Sequence, residues 1–127
     1  MNLIFKKLYK IYRYFKKYEG ETTKAFRRRR KEGFFEKYFK GFGLDIGYGG
    51  MKVVKNCQGV DFEDTDVQYM EGFKNSCYDF VYSSHTLEHM KSVETAIINW
   101  KRLIKKDGYL ILYIPDRDLY EKKIDLP

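Results

Sequence analysis

The chain has 127 residues, 43% of them apolar and 18% aromatic, enough for one folded domain with a real core. Its net charge of +7 is divided: residues 1–40 hold 14 Lys/Arg against 4 Asp/Glu, and residues 41–127 hold 11 against 14. No apolar run is long enough to span a bilayer and no signal-type core opens the chain. Cys57 and Cys77 stand in no metal-type spacing and suggest no disulfide framework, so a reducing, cytoplasmic setting without a metal site is expected.

Residues 3–18 place Leu3, Ile4, Leu8, Ile11, Phe15 and Tyr18 at helical spacing, with Lys6, Lys10, Arg13 and Lys17 between them. This pattern predicts a basic amphipathic helix, packed on its own domain or a second subunit, or lying on an anionic membrane surface. The run Arg27 to Lys31 could meet phosphates of nucleic acid, although such a run is more often a solvated helix face. Phe34, Phe35 and Phe39 are expected to bring the segment back onto the body. Residues 1–40 therefore read as a basic helical arm, and residues 41–127 as a reduced α/β domain.

From Gly43 the pattern changes. "GLDIGY" predicts a short buried strand ending in a glycine turn, "QGVDF" (58–62) a second strand and "YDFVYSS" (78–84) a third. "SVETAIINWKRLIKK" (92–106) predicts a helix with Ser92 as N-cap, Glu94 in its first turn and a stripe of Val93, Ala96, Ile97, Trp100, Leu103 and Ile104. Asp107-Gly108 turns the chain into "YLILYIP" (109–115), a continuously apolar run that predicts a strand buried on both faces. Strands alternating with helical segments imply an α/β sandwich with a mostly parallel sheet.

Ligands of such sheets bind beyond the carboxyl ends of the strands. Gly47, Tyr48, Gly49 and Gly50 follow the first strand, Asp61 the second, and Ser83, Ser84 and His85 the third. Glycines let the backbone approach a ligand, and a carboxylate at the next strand end can accept from two ribose hydroxyls. Asp66, with the Val67 N–H, could take an adenine amino group and ring nitrogen. A dinucleotide fits less well, because the position of the third fingerprint glycine is Lys52 and no good helix follows.

In this order the blocks resemble the class I S-adenosylmethionine-dependent methyltransferases of the type 11 branch, over residues 43–118. "LDIGYGG" is similar to the family's first motif, "GVDF" to the end of its second strand and "DVQYM" to its adenine segment. "YDFVYSSHTLEHM" and "NWKRLIKKDGYLILYIPD" are similar to its fourth-strand block and its helix with fifth strand. The resemblance implies a minimal Rossmann-like methyltransferase sheet and S-adenosylmethionine as cofactor, with a small-molecule, glycan or lipid-precursor acceptor. It implies cofactor contacts from Asp45, Gly47, Tyr48, Gly49, Asp61, Phe62, Asp66, Val67 and Ser83. His85 is the leading candidate base, followed by Glu88 and His89, for which a structural place at a helix start is the favoured reading.

The sequence also departs from the family. Only seven residues, Met51 to Cys57, separate Gly50 from "QGVDF", fewer than the ~10–12 of an ordinary helical crossover, so the first helix is reduced to a turn or absent. Four residues between Asp61 and Asp66 compress the second helix and third strand. The end "PDRDLYEKKIDLP" resembles a family segment cut short, leaving the last strand near an open edge. A homo-oligomer, or residues 3–40 folded over the sheet, is the expected cover. The alternative to an enzyme is a non-catalytic methyltransferase-fold module whose arm binds nucleic acid or an anionic surface.

Overall fold

The computed structural model describes residues 21–115; the amphipathic pattern at 3–18 and the segment beyond Pro115 lie outside them. The chain divides into two compact units, one ending at Lys37 and the other beginning at Tyr38. In the first unit, α1 (Glu21–Lys31) carries the run of Arg28, Arg29, Arg30 and Lys31 in its last turn, where the helix dipole favours cations. A short α2 (Phe34–Tyr38) follows the left-handed Gly33. Within this unit the Arg29 guanidinium stands 5.1 Å from the centre of the Phe34 ring, and Phe34 meets Phe35 edge to face.

The second unit is a four-stranded sheet of β1 (Gly43–Ile46), β2 (Cys57–Val60), β3 (Tyr78–Ser84) and β4 (Ile104–Tyr113). The strand order is β2-β1-β3-β4 and every pairing is parallel. One helix, α3 (Val93–Arg102), connects β3 to β4, after a 3₁₀ turn at Leu87–His89. Residues 47–56 reach β2 without a helix, and residues 61–77 pass to β3 through turns alone. The ten residues 47–56 leave little room for a helical crossover, which needs ~10–12, whereas 61–77 is long enough for one and is built of turns instead.

The two central strands are the most apolar and the most buried. β1 is buried throughout, and Leu44, Ile46, Val60 and Val81 join Ala96, Trp100 and Leu103 of the α3 side in one core. Alternate residues of β3 serve the opposite face, where Phe80 and Tyr82 receive the Phe39 ring at centroid distances of 4.9 and 5.6 Å. Phe39 thus packs on the sheet as its sequence position suggested. Helix α3 starts at the expected cap: Ser92 is extended and its Oγ accepts from the Thr95 N–H at 3.2 Å.

Two expectations are corrected here. The helix ends at Arg102 and not at Lys106, because Ile104 pairs with Tyr78 at the foot of β3. The next ladder pair is Phe80 with Tyr109, so residues 105–108 bulge out around the left-handed Asp107. Nor is β4 buried on both faces. It is one of the two outer strands of the described sheet, with Tyr109 44% and Ile114 just beyond it 54% exposed. Its apolar run reflects propensity, whereas burial depends on neighbours the described sheet does not supply. Among the described residues no helix is long and apolar enough to cross a membrane.

Candidate functional site

Register sets the site. Val60, Ile46, Ser83 and Leu112 stand abreast across the four strands, so the residues after them emerge along one edge of the sheet. Gly47 follows β1, Asp61 follows β2, and His85 follows β3. All three strand ends chosen from the sequence therefore meet.

The β1 turn is built by backbone. The Gly47 N–H donates to the Val60 carbonyl at 2.7 Å, and Gly47, Gly49 and Gly50 all have left-handed φ. A Cβ on Gly47 would run into Thr86 Oγ1, whereas Gly49 and Gly50 have open space where a Cβ would stand. The first glycine is thus required by packing and the next two face outward. The Gly49 N–H points to Asp61 Oδ1 at a long 3.4 Å, joining the glycine turn to the β2 carboxylate. The Tyr48 ring lies over Gly59 of β2, where any Cβ would collide with it.

Asp45 lies beneath this turn, 2% exposed, and its Oδ2 accepts from the Val53 N–H at 2.8 Å. It therefore ties the far end of the loop to β1. Burial pushes the Asp45 carboxyl up from 3.8 to about 6; the Val53 hydrogen bond opposes the rise and the nearby Asp61 charge adds to it. Ser83 is similarly enclosed, its Oγ donating to the Ile46 carbonyl at 2.9 Å.

On the other side, Asp66 opens a tight turn in which its Oδ1 accepts from the Gln68 N–H at 3.0 Å. Asp66, Phe62, Gln68 and Tyr69 line a cleft of about 500 Å³ with His89, Met90 and Lys91. Phe62 is 57% exposed there, an apolar face offered to a ligand. Val67 is wholly buried, and its carbonyl accepts from Trp100 Nε1 at 2.7 Å.

The candidate bases stand together at the end of β3. Glu88 Oε1 lies 3.7 Å from His85 Nδ1 and 3.8 Å from His89 Nε2, both beyond hydrogen-bond length. His85 has φ +52, an uncommon conformation for a residue with a side chain, and its N–H donates to the Tyr113 carbonyl at 2.9 Å. The structure thus gathers Gly49 with Asp61, His85 with Glu88 and His89, and His89 with Phe62 and Asp66 in the cleft. Asp45, Val67 and Ser83 sit beneath that surface.

Three residues important to this geometry escaped the sequence reading. Thr86 fills the space over Gly47, with Oγ1 donating to the Ser84 carbonyl at 3.1 Å. Gln68 reaches α3, its Oε1 accepting from the Ser92 N–H at 2.8 Å. Arg102, in the last helical turn, donates to carbonyls of the segment between Tyr69 and Phe73. Only Arg102 left a trace in sequence, as a cation at a helix C-terminus, and that position ordinarily signals nothing beyond the dipole.

Residues 20–112 match the model of a family described as "Methyltransferase domain". The crystal structure of a SAM-dependent methyltransferase from Thermotoga maritima, titled a possible histamine N-methyltransferase, superposes with a TM-score of 0.56 at 19% identity. The superposition covers 91% of this chain and 64% of that one, so the chain spans less than two thirds of its length. At this identity the likeness concerns the fold. No curated protein matches the sequence.

Proposed function

The chain belongs to the methyltransferase-domain family, and from that premise we propose that it binds S-adenosylmethionine along the strand ends. The methyl acceptor in this reading is a small molecule, glycan or lipid precursor. The observation that carries it is the Gly49 to Asp61 junction: a left-handed glycine turn with open space above it, touching a carboxylate at the next strand end. The fit is chemical as well as steric. Asp61 can accept from ribose hydroxyls, and Asp66, whose Oδ1 is already used by Gln68, keeps acceptor capacity at Oδ2 for an adenine amino group.

When bound, the cofactor supplies a methyl group already activated by its sulfonium charge. The work left to the chain is alignment and exclusion of water. Gly47 and Gly49 bring the backbone near the methionine part, Tyr48 packs the turn against β2, and Asp45 holds the loop through Val53. Ser83, at the middle of the strand ends, contributes its backbone to the same wall. Phe62 presents its exposed ring to the nucleoside. The buried Val67 serves by anchoring the adenine segment through its carbonyl. For an acceptor that must lose a proton, His85 takes it, with Glu88 Oε1 3.7 Å from its Nδ1; His89 lines the cleft beside them.

Calorimetry with S-adenosylmethionine and S-adenosylhomocysteine, on wild type and Asp61→Ala, tests this. Loss of one hydrogen bond to a charged group is worth about 1.5–3 kcal/mol, so affinity should fall about 10- to 150-fold. Absence of binding by the wild type would sink the proposal, as would an Asp61→Ala protein that binds equally well. Binding without methyl transfer to any acceptor class would leave a methyltransferase-fold binding module.

A further inference from the structure

Arg102 has every side-chain donor engaged. A guanidinium has five N–H donors, and here each has an acceptor. Nε donates to Asn99 Oδ1 at 3.2 Å; Nη1 to the Phe73 carbonyl at 2.6 Å and Asn75 Oδ1 at 3.0 Å; Nη2 to the Tyr69 and Met70 carbonyls at 3.2 and 2.8 Å. Four of these acceptors belong to residues 69–75, a stretch with neither helix nor strand and with Met70 at φ +52. Such a segment has no ladder of its own to define its shape.

The link to the cleft is direct. The N–H groups of Tyr69 and Met70 both donate to the Asp66 backbone carbonyl, at 3.1 and 2.9 Å. The carbonyls of those same two residues are the ones Nη2 grips. Arg102 therefore fixes the turn whose first residue is Asp66 and whose residues Gln68 and Tyr69 line the cleft. At the other end, the Ser76 N–H donates back to the Arg102 carbonyl at 2.9 Å, closing the loop on its clamp. A lysine, with three donors on a compact ammonium, cannot span this set.

Resting on the cofactor reading above, we infer that Arg102 is a positioning residue for recognition of the purine edge. It holds the Asp66 carboxylate where it accepts from an amino group and repels a carbonyl oxygen. The helix connecting β3 to β4 thereby sets nucleobase specificity without touching the base.

The test is titration calorimetry of wild type, Arg102→Lys, Asn75→Ala and the exposed-neighbour control Lys101→Ala with S-adenosylhomocysteine and S-inosylhomocysteine. The second ligand differs by a carbonyl oxygen in place of the amino group. A site built to hydrogen-bond a substrate group rejects an analogue without it, so wild type and Lys101→Ala should favour the adenosyl ligand by at least about tenfold. In Arg102→Lys the preference should shrink to within about threefold, with an intermediate value for Asn75→Ala. Hydrogen exchange should accelerate at residues 66–75 and not in β1 or β3. A folded Arg102→Lys with the full preference overturns the inference, as does exchange raised evenly across the sheet, which marks a merely structural role. Should Arg102→Lys fail to fold, an unchanged preference in Asn75→Ala overturns it. A wild type that binds neither ligand overturns the cofactor reading itself, whereas binding with a preference independent of Arg102 overturns this inference alone.

Discussion

The turn after β1 and the segment after β2 both carry candidate ligand contacts, and neither contains a helix of its own. They are held by opposite means. Gly47–Gly50 is fixed from its own flanking strands, with left-handed glycines, a Gly47 N–H on the Val60 carbonyl, and the buried Asp45 carboxylate accepting from the Val53 N–H. Residues 66–75 are fixed by side chains of a remote element, with Trp100 and Arg102 of α3 reaching four of their carbonyls. A short crossover keeps its residues within reach of the strands it joins, so contacts from those strands close the turn. A longer irregular stretch carries more backbone groups and conformational entropy, and an outside scaffold must offset both.

The difference is open to five substitutions. The largest effect belongs to the α3 side. Trp100 is fully buried, and Trp100→Ala removes its core volume and leaves the Val67 carbonyl without its donor. A loss of about 3–5 kcal/mol is expected in urea unfolding. A loss below 1 kcal/mol would show that the 66–75 segment holds itself.

On the β1 side, Asp45→Asn should act in the other direction. Because the folded carboxyl titrates near 6 against 3.8 for the free group, the fold holds a proton that the unfolded chain has released between those values. Stability from this group therefore falls as pH rises through about 4 to 6, and the deficit stays constant above. Two pKa units correspond to about 3 kcal/mol. Asparagine keeps an acceptor for the Val53 N–H, so the variant should gain about 2–3 kcal/mol at pH 7 and nothing at pH 4. Equal unfolding midpoints of variant and wild type at pH 7 would refute the buried-charge account.

Next comes the glycine turn itself. Gly47→Ala combines an unfavourable φ with a collision against Thr86, whereas Gly50→Ala has the φ penalty alone. The left-handed conformation costs a residue with a Cβ about 1–2 kcal/mol, so Gly50→Ala should lose that and Gly47→Ala distinctly more. Similar melting temperatures for the two would argue that Thr86 moves aside freely. The smallest change is Ser92→Ala, which removes the α3 cap and should lower stability by about 1 kcal/mol in the same unfolding assay.

Much of this was legible in the chain. "LDIG" and "YDFVYSS" specify strands because their apolar and β-favouring residues are contiguous and bounded by turn residues, and β3 begins and ends where the pattern says. Ser92 declares the start of α3 through its own hydroxyl. That Gly47, Asp61 and His85 lie along one edge was legible because a parallel sheet puts successive strand ends there. These are statements about local chemistry and chain order, which sequence carries directly.

Tertiary structure decided the rest. The apolar run of the last strand predicts burial on both faces and its place near an open edge predicts the reverse; β4 is an outer strand of the described sheet and keeps Tyr109 half-exposed. Helix α3 stops at Arg102 because Ile104 finds a partner in Tyr78, a residue twenty-six positions away that no local pattern contains. Thr86 over Gly47 and Arg102 under Tyr69, Met70 and Phe73 are equally invisible in sequence, since neither a threonine in a loop nor a cation at a helix end specifies its partner. Sequence by itself determined which groups could meet a ligand. Packing between distant segments decided which of them are held in place, because a hydrogen bond across thirty residues depends on where the fold brings its two ends.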